Sequence, residues 1–191
     1  MASVGAPPIA VASDCDTSPG MRARLIKRLR PYWKMEALNV VFIPAFASFL
    51  IVETGGALTW PFAIAALACS ALLVVGTAAL RMELADLERN RALASQLLAF
   101  ARSARLPAMV LCGLGVLAAG WQVQRDGGWT PAGIGAVALA ALAVLEYVNY
   151  YIVQLQHFDH AEDFRRLMSG RGFRESHLAK ALRRSAQSSG L

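Results

Sequence analysis

Arg22–Thr54 reads RARLIKRLRPYWKMEALNVVFIPAFASFLIVET. Six cations (Arg22, Arg24, Lys27, Arg28, Arg30 and Lys34) crowd its first part, whereas from Met35 to Thr54 only Glu36 and Glu53 are charged. A helix rises about 1.5 Å per residue, so roughly 20 apolar residues cross the ~30 Å hydrocarbon layer of a bilayer. A basic flank followed by such a run is the signature of a membrane-spanning helix.

The same unit recurs along the chain. Trp60–Leu80, Leu106–Val123 and Pro131–Val153 are further apolar blocks, within a composition that is 56% hydrophobic with mean hydropathy +0.43. Lipid offers no partner to a free peptide group, and the blocks lack the alternation of a barrel strand, so helices are expected. Pro44 and Gly113 inside them are compatible with this, since both residue types are frequent in spanning helices.

Charge decides the threading. Of 19 Lys and Arg residues, all but Arg125 fall before the first block, between the second and third, or after the fourth. The turn Glu53–Thr59 has no basic residue, and Arg125 is balanced by Asp126. Basic loops stay on the cytoplasmic side during insertion, so both termini and the central connection are expected inside, in a bacterial inner membrane. The abundance of Ala and the preference for Arg over Lys point to a bacterium with a GC-rich genome. Trp60, Trp121 and Trp129 fall at the outer edge, and Tyr32, Trp33, Tyr150 and Tyr151 toward the inner one, as interfacial aromatic belts do. The net charge of +6 then reads as topology and attraction to anionic headgroups, with no nucleic-acid partner expected.

The expected fold is all-α: a polytopic four-helix transmembrane bundle with an amphipathic cytoplasmic connector and a C-terminal helical hairpin. Residues 1–21 read as a flexible tail without the form of a secretory signal, 22–155 as the membrane domain, and 156–191 as hairpin and tail. In the connector, Arg81–Arg105, Leu84, Leu87, Leu93, Leu97 and Phe100 recur at helical intervals without Pro or Gly. It is expected either to continue the second span or to lie along the headgroups, with Ser103 and Pro107 opening the third span. Asp159 and Glu162 have the form of a capping box for the hairpin's first helix, and Ser176 is placed to cap its second. Cys15, Cys69 and Cys112 offer no disulfide framework.

Few residues lack a plain structural role. Late in the fourth span, Glu146, Asn149 and Tyr150 share a helix face at three- and four-residue steps, and Glu36 and Asn39 open the first span at a similar depth. An acid inside the hydrocarbon normally faces the bundle interior and pairs, so these five form a candidate intramembrane polar site. Arg102, Arg105, Arg30 and Lys34 are the cations able to reach it from the same side. His157, His160 and Asp163 are the densest set of possible metal ligands, suited to Zn or non-haem Fe, although no recognised ligand signature or cofactor motif is present. Phe173 and Leu178 are candidates for contact with a cytosolic partner. Ala132, Ala136 and Ala140, with Gly115 and Ala119, recur every fourth residue and would let helices approach closely, within one chain or between copies.

EYVNYY (Glu146–Tyr151), QLQHFDH (Gln154–His160), DFRRLMSGRGF (Asp163–Phe173) and SHLAKAL (Ser176–Leu182) together resemble the C-terminal part of small bacterial four-span membrane proteins without an assigned function. The resemblance covers roughly a fifth of the chain and implies that the last span and the hairpin act as one unit; it carries no activity. The leading expectation is a non-enzymatic protein that recruits or regulates a cytosolic partner through its inner helices. A homo-oligomeric channel or proton-coupled transporter using Glu146 and Asn149 is the alternative, and a membrane-embedded metal hydrolase is third.

Overall fold

The computed structural model describes residues 19–153 and 175–188. Five helices make up the described chain: α1 Pro19–Glu53, α2 Trp60–Leu87, α3 Arg91–Arg125, α4 Pro131–Tyr151 and α5 His177–Ser188. The first four are each long and apolar enough to cross a membrane. The fold is the expected all-α, multi-pass bundle.

Small residues set its layout. Ala65, Ala68 and Cys69 of α2 are fully buried, as are Ala136 and Ala143 of α4, so α2 lies at the centre against α1, α3 and α4. A Cβ on Gly115 of α3 would meet the Ala68 Cβ at 3.3 Å and the Ala140 Cβ at 4.0 Å. Ala132, Ala140 and Ala119 are buried too. The four-residue stripes are therefore used inside one chain, and an oligomer has to be built through other faces.

The starts of α2, α3, α4 and α5 each have a side-chain cap. Thr59 accepts from the Phe62 amide, Asn90 from Leu93, Thr130 from Gly133 and Ser176 from Ala179, relieving one of the orphan donors at each N-terminus. Ser176 thus caps α5 as its sequence position predicts. At the α3–α4 turn, Asp126 accepts from Gln122 at 2.6 Å and from Thr130 at 2.7 Å.

Two boundaries differ from expectation. α1 does not begin near Met35 but runs through the cationic stretch and Pro31, a continuous 35-residue helix about 52 Å long. α3 does not begin at Ser103 but at Arg91, so Pro107 is internal and the connector is a helical hairpin made of the ends of α2 and α3. The break between them is a cap in which Asn90 N–H bonds Ala85 O and Arg89 N–H bonds Asp86 O. Arg89 takes the left-handed conformation there, φ 59°, at a position where glycine is usual. No Gly or Pro marked the spot, which is why sequence alone did not place it.

Tyr150 and Tyr151 face the bundle interior rather than its outer surface: they are 7% and 4% exposed, and the Tyr151 hydroxyl donates to Ala101 O at 2.8 Å.

Candidate functional site

α4 is a run of small and aliphatic residues from Ala132 to Leu145 and becomes polar only in its last turns. Asn149 and Tyr150 stand three and four positions after Glu146, and both side chains lie within electrostatic reach of its carboxylate. On α1, Asn39 engages Glu36 in the same way. The two pairs meet through one bond: the Tyr150 hydroxyl donates to Glu36 Oε1 at 3.1 Å. All five residues of the expected polar site therefore converge at the α1–α4 seam.

Glycine makes this possible. A Cβ on Gly76 of α2 would lie 2.6 Å from Tyr150 Cε2, so the tyrosine ring rests directly on the α2 backbone. That seat aims the hydroxyl between the two acids. It was missed at the sequence level because Gly76 sits in an ordinary apolar run, and nothing local announces a close approach.

The site's electrostatics are unusual for its setting. The Glu36 carboxylate acts on that of Glu146, and among the described residues no lysine or arginine forms an ion pair with either. Three of the four expected cationic partners are engaged elsewhere. Arg30 pairs with Glu88, Arg102 donates to Ser185, and Arg105 lies near Tyr151. Glu146 Oε2 is buried without a hydrogen-bond partner among the described residues. Cys69 lies within electrostatic range of Glu146 and of Cys112, whose thiol donates to Ala143 O at 3.6 Å.

Two further features tie the site to its surroundings. Pro44 lacks the N–H that would bond Val40 O, and Ser70 of α2 donates to that freed carbonyl at 3.0 Å. At the C-terminal end of α4, Ser176 donates to the Tyr150 carbonyl and Ser176 N–H bonds Ile152 O, so the start of α5 is anchored on the residue that bonds Glu36.

At the same end an ionic latch fastens α1 to the α2–α3 turn. Arg22 donates to Leu87 O at 2.8 Å, satisfying a carbonyl at the end of α2, and Glu88 accepts from Arg30 at 3.1 Å and Arg81 at 3.2 Å. Arg81 also stacks 5.8 Å from the Trp33 ring centroid. Hydrogen bonds from Arg30 and then Arg81 hold the Glu88 carboxyl below the usual carboxylate range.

The other sequence candidates separate. Leu178 is 2% exposed within the hydrophobic core, so its side chain docks α5 on the bundle and is not presented to an outside partner. Phe173, His157, His160 and Asp163 lie outside the described residues. Among the described residues no group of three His, Cys, Asp or Glu side chains could hold a metal ion.

Fold and site together define the class: an all-α protein with four membrane-spanning helices and an acid pair bridged by tyrosine between its first and fourth. No protein-family model, curated protein or solved structure matches the chain.

Proposed function

We propose that this is a multi-pass protein of the bacterial inner membrane, with both termini in the cytoplasm, that works by taking up and releasing a proton at the Glu36–Tyr150–Glu146 site. It would act as a homo-oligomeric channel or a proton-coupled carrier of a small solute. The observation that carries this reading is the approach of two carboxylates from different helices around one tyrosine hydroxyl, which donates to Glu36, with neither acid in an ion pair among the described residues. Two such acids in apolar surroundings repel when both are ionised, and sharing one proton relieves this. An ion pair would make the cluster a static tie; an acid pair makes α1 packing depend on protonation. The one-sided distribution of cations supports the topology, and the absorption of the small-residue stripes inside the bundle leaves α1's exposed face for contacts between copies.

Purified protein in vesicles carrying an internal pH dye tests the reading. Wild type should dissipate an imposed pH gradient faster than protein-free vesicles, and Glu146→Gln should return the rate to that baseline. Equal rates for wild type and protein-free vesicles would overturn it.

Recruitment of a cytosolic protein is the second reading. It is favoured by the gathering of α5, the α2–α3 turn and the α1 extension at one end, with Arg183 and Arg184 exposed there. Crosslinking from Arg184 that captures no specific protein would remove it.

A further inference from the structure

The ends of α2 and α3 remote from the latch enclose a concavity of about 680 Å³, lined by Trp60 and Ile64 of α2 and by Leu114, Leu117, Gly120, Trp121 and Gln124 of α3, among others. We infer that this groove is a binding site for a single acyl chain of an outer-leaflet phospholipid. Three observations carry the assignment.

The first is its length. Leu114 to Gln124 spans ten helical steps, about 15 Å, which is half of a ~30 Å hydrocarbon layer. The concavity is one leaflet deep. A neighbouring spanning helix would need a groove running the full thickness.

The second is its polarity gradient. Gln124 and the indoles of Trp60 and Trp121, each ring residue 55% exposed, stand at the mouth, and below them the walls are Ile64, Leu117 and Leu114. Indoles favour the headgroup level because they join an apolar body to an N–H donor, so this order matches a lipid from ester to chain. The third is its floor. Gly120 lines the groove and has no atom within 4 Å of where a Cβ would stand, so the groove is open because this position carries no side chain. A chain lying there meets walls on two sides, whereas annular lipid meets one.

Filling the floor tests this on the full chain. Gly120→Leu places a side chain into the groove, while Gly113→Leu makes the same change on α3 outside it, also with no atom within 4 Å. Protein taken from nanodiscs of equal parts phosphatidylethanolamine and phosphatidylglycerol is weighed by native mass spectrometry. Wild type and Gly113→Leu should each retain one phospholipid, and Gly120→Leu should retain about tenfold less. Equal retention by all three, equal loss in both variants, or a groove occupied by a second copy of the chain (seen as a dimer that Gly120→Leu splits) would overturn the assignment.

Discussion

α1 and α2 run side by side through the same layer, and they are held in opposite ways. α2 buries Ala65, Ala68, Cys69 and Leu72 completely; α1 leaves Val41, Phe42, Phe46 and Phe49 half or more exposed. Hydropathy marks both as spans, but apolar residues gain little from burial when the solvent is lipid. Close approach decides instead, and it follows the small residues of α2. α1, bulky along its outer face, is fixed by a handful of directed contacts. Ile51 fits beside Gly135 at one end, Ser70 holds Val40 O in the middle, Tyr150 holds Glu36, and the latch closes the far end. A helix held that way can shift when one contact changes, and the contact most open to change is the acid pair.

The contrast can be broken at its hinge point. Gly76→Ala should cost about 2–3 kcal/mol, because its methyl collides with the Tyr150 ring in a seat with no slack. Gly113→Ala, in open space, should stay within about 0.5 kcal/mol. Reversible unfolding in mixed micelles measures both. Equal effects would mean that Tyr150 does not rest on α2.

A second comparison sharpens the same point. Leu72→Ala removes a fully buried side chain and should cost about 2 kcal/mol in packing, whereas Phe46→Ala on α1's exposed face should cost less than about 0.5 kcal/mol in a protein that works as a single copy. A larger loss at Phe46 would show that α1's exposed face is covered by protein, as an oligomer through α1 requires.

Ser70→Ala should cost about 1 kcal/mol by leaving Val40 O without a donor inside the membrane. Ser48→Ala, whose hydroxyl bonds Pro44 O within its own helix, serves as the comparison and should be nearly silent.

These predictions rest on contacts of unequal legibility. The four spans, their order and the polar faces of α4 and α1 were readable, because hydropathy runs and three- and four-residue steps are local. Convergence of Glu36 with Glu146 was readable only as similar depth. That Tyr150 would bridge them depends on Gly76, 74 positions away in sequence, and no periodicity encodes such a pairing. The α1 extension was hidden by its charges and Pro31, which read as a flank; its stability comes from Glu88 and the Leu87 carbonyl, both distant in sequence. Likewise it could not be read that neither acid forms an ion pair among the described residues, since four suitable cations lie close in sequence to the same helix ends and three are drawn elsewhere.

The latch supplies the smallest effect and a definite sign. Glu88 has its carboxyl held low in the folded chain, so its contribution is present above the usual carboxylate range and is lost as pH falls through the lowered value. Spin labels at the exposed positions Ala23 and Ala92 should give a narrow distance distribution at neutral pH that broadens at strongly acidic pH. Glu88→Gln should show the broad distribution already at neutral pH. High salt should weaken the latch in wild type, because these ion pairs are partly exposed.

The account turns on Glu36 and Glu146 sharing one site. Infrared titration of the carboxyl C=O stretch in nanodiscs reads this directly, comparing wild type with Glu146→Gln, Glu36→Gln and Tyr150→Phe. A shared site predicts that removing either acid moves the titration midpoint of the other, and that Tyr150→Phe shifts the band of Glu36. Midpoints and bands that stay where they are in all three variants would show two separate carboxylates, and the proposed working site would not exist.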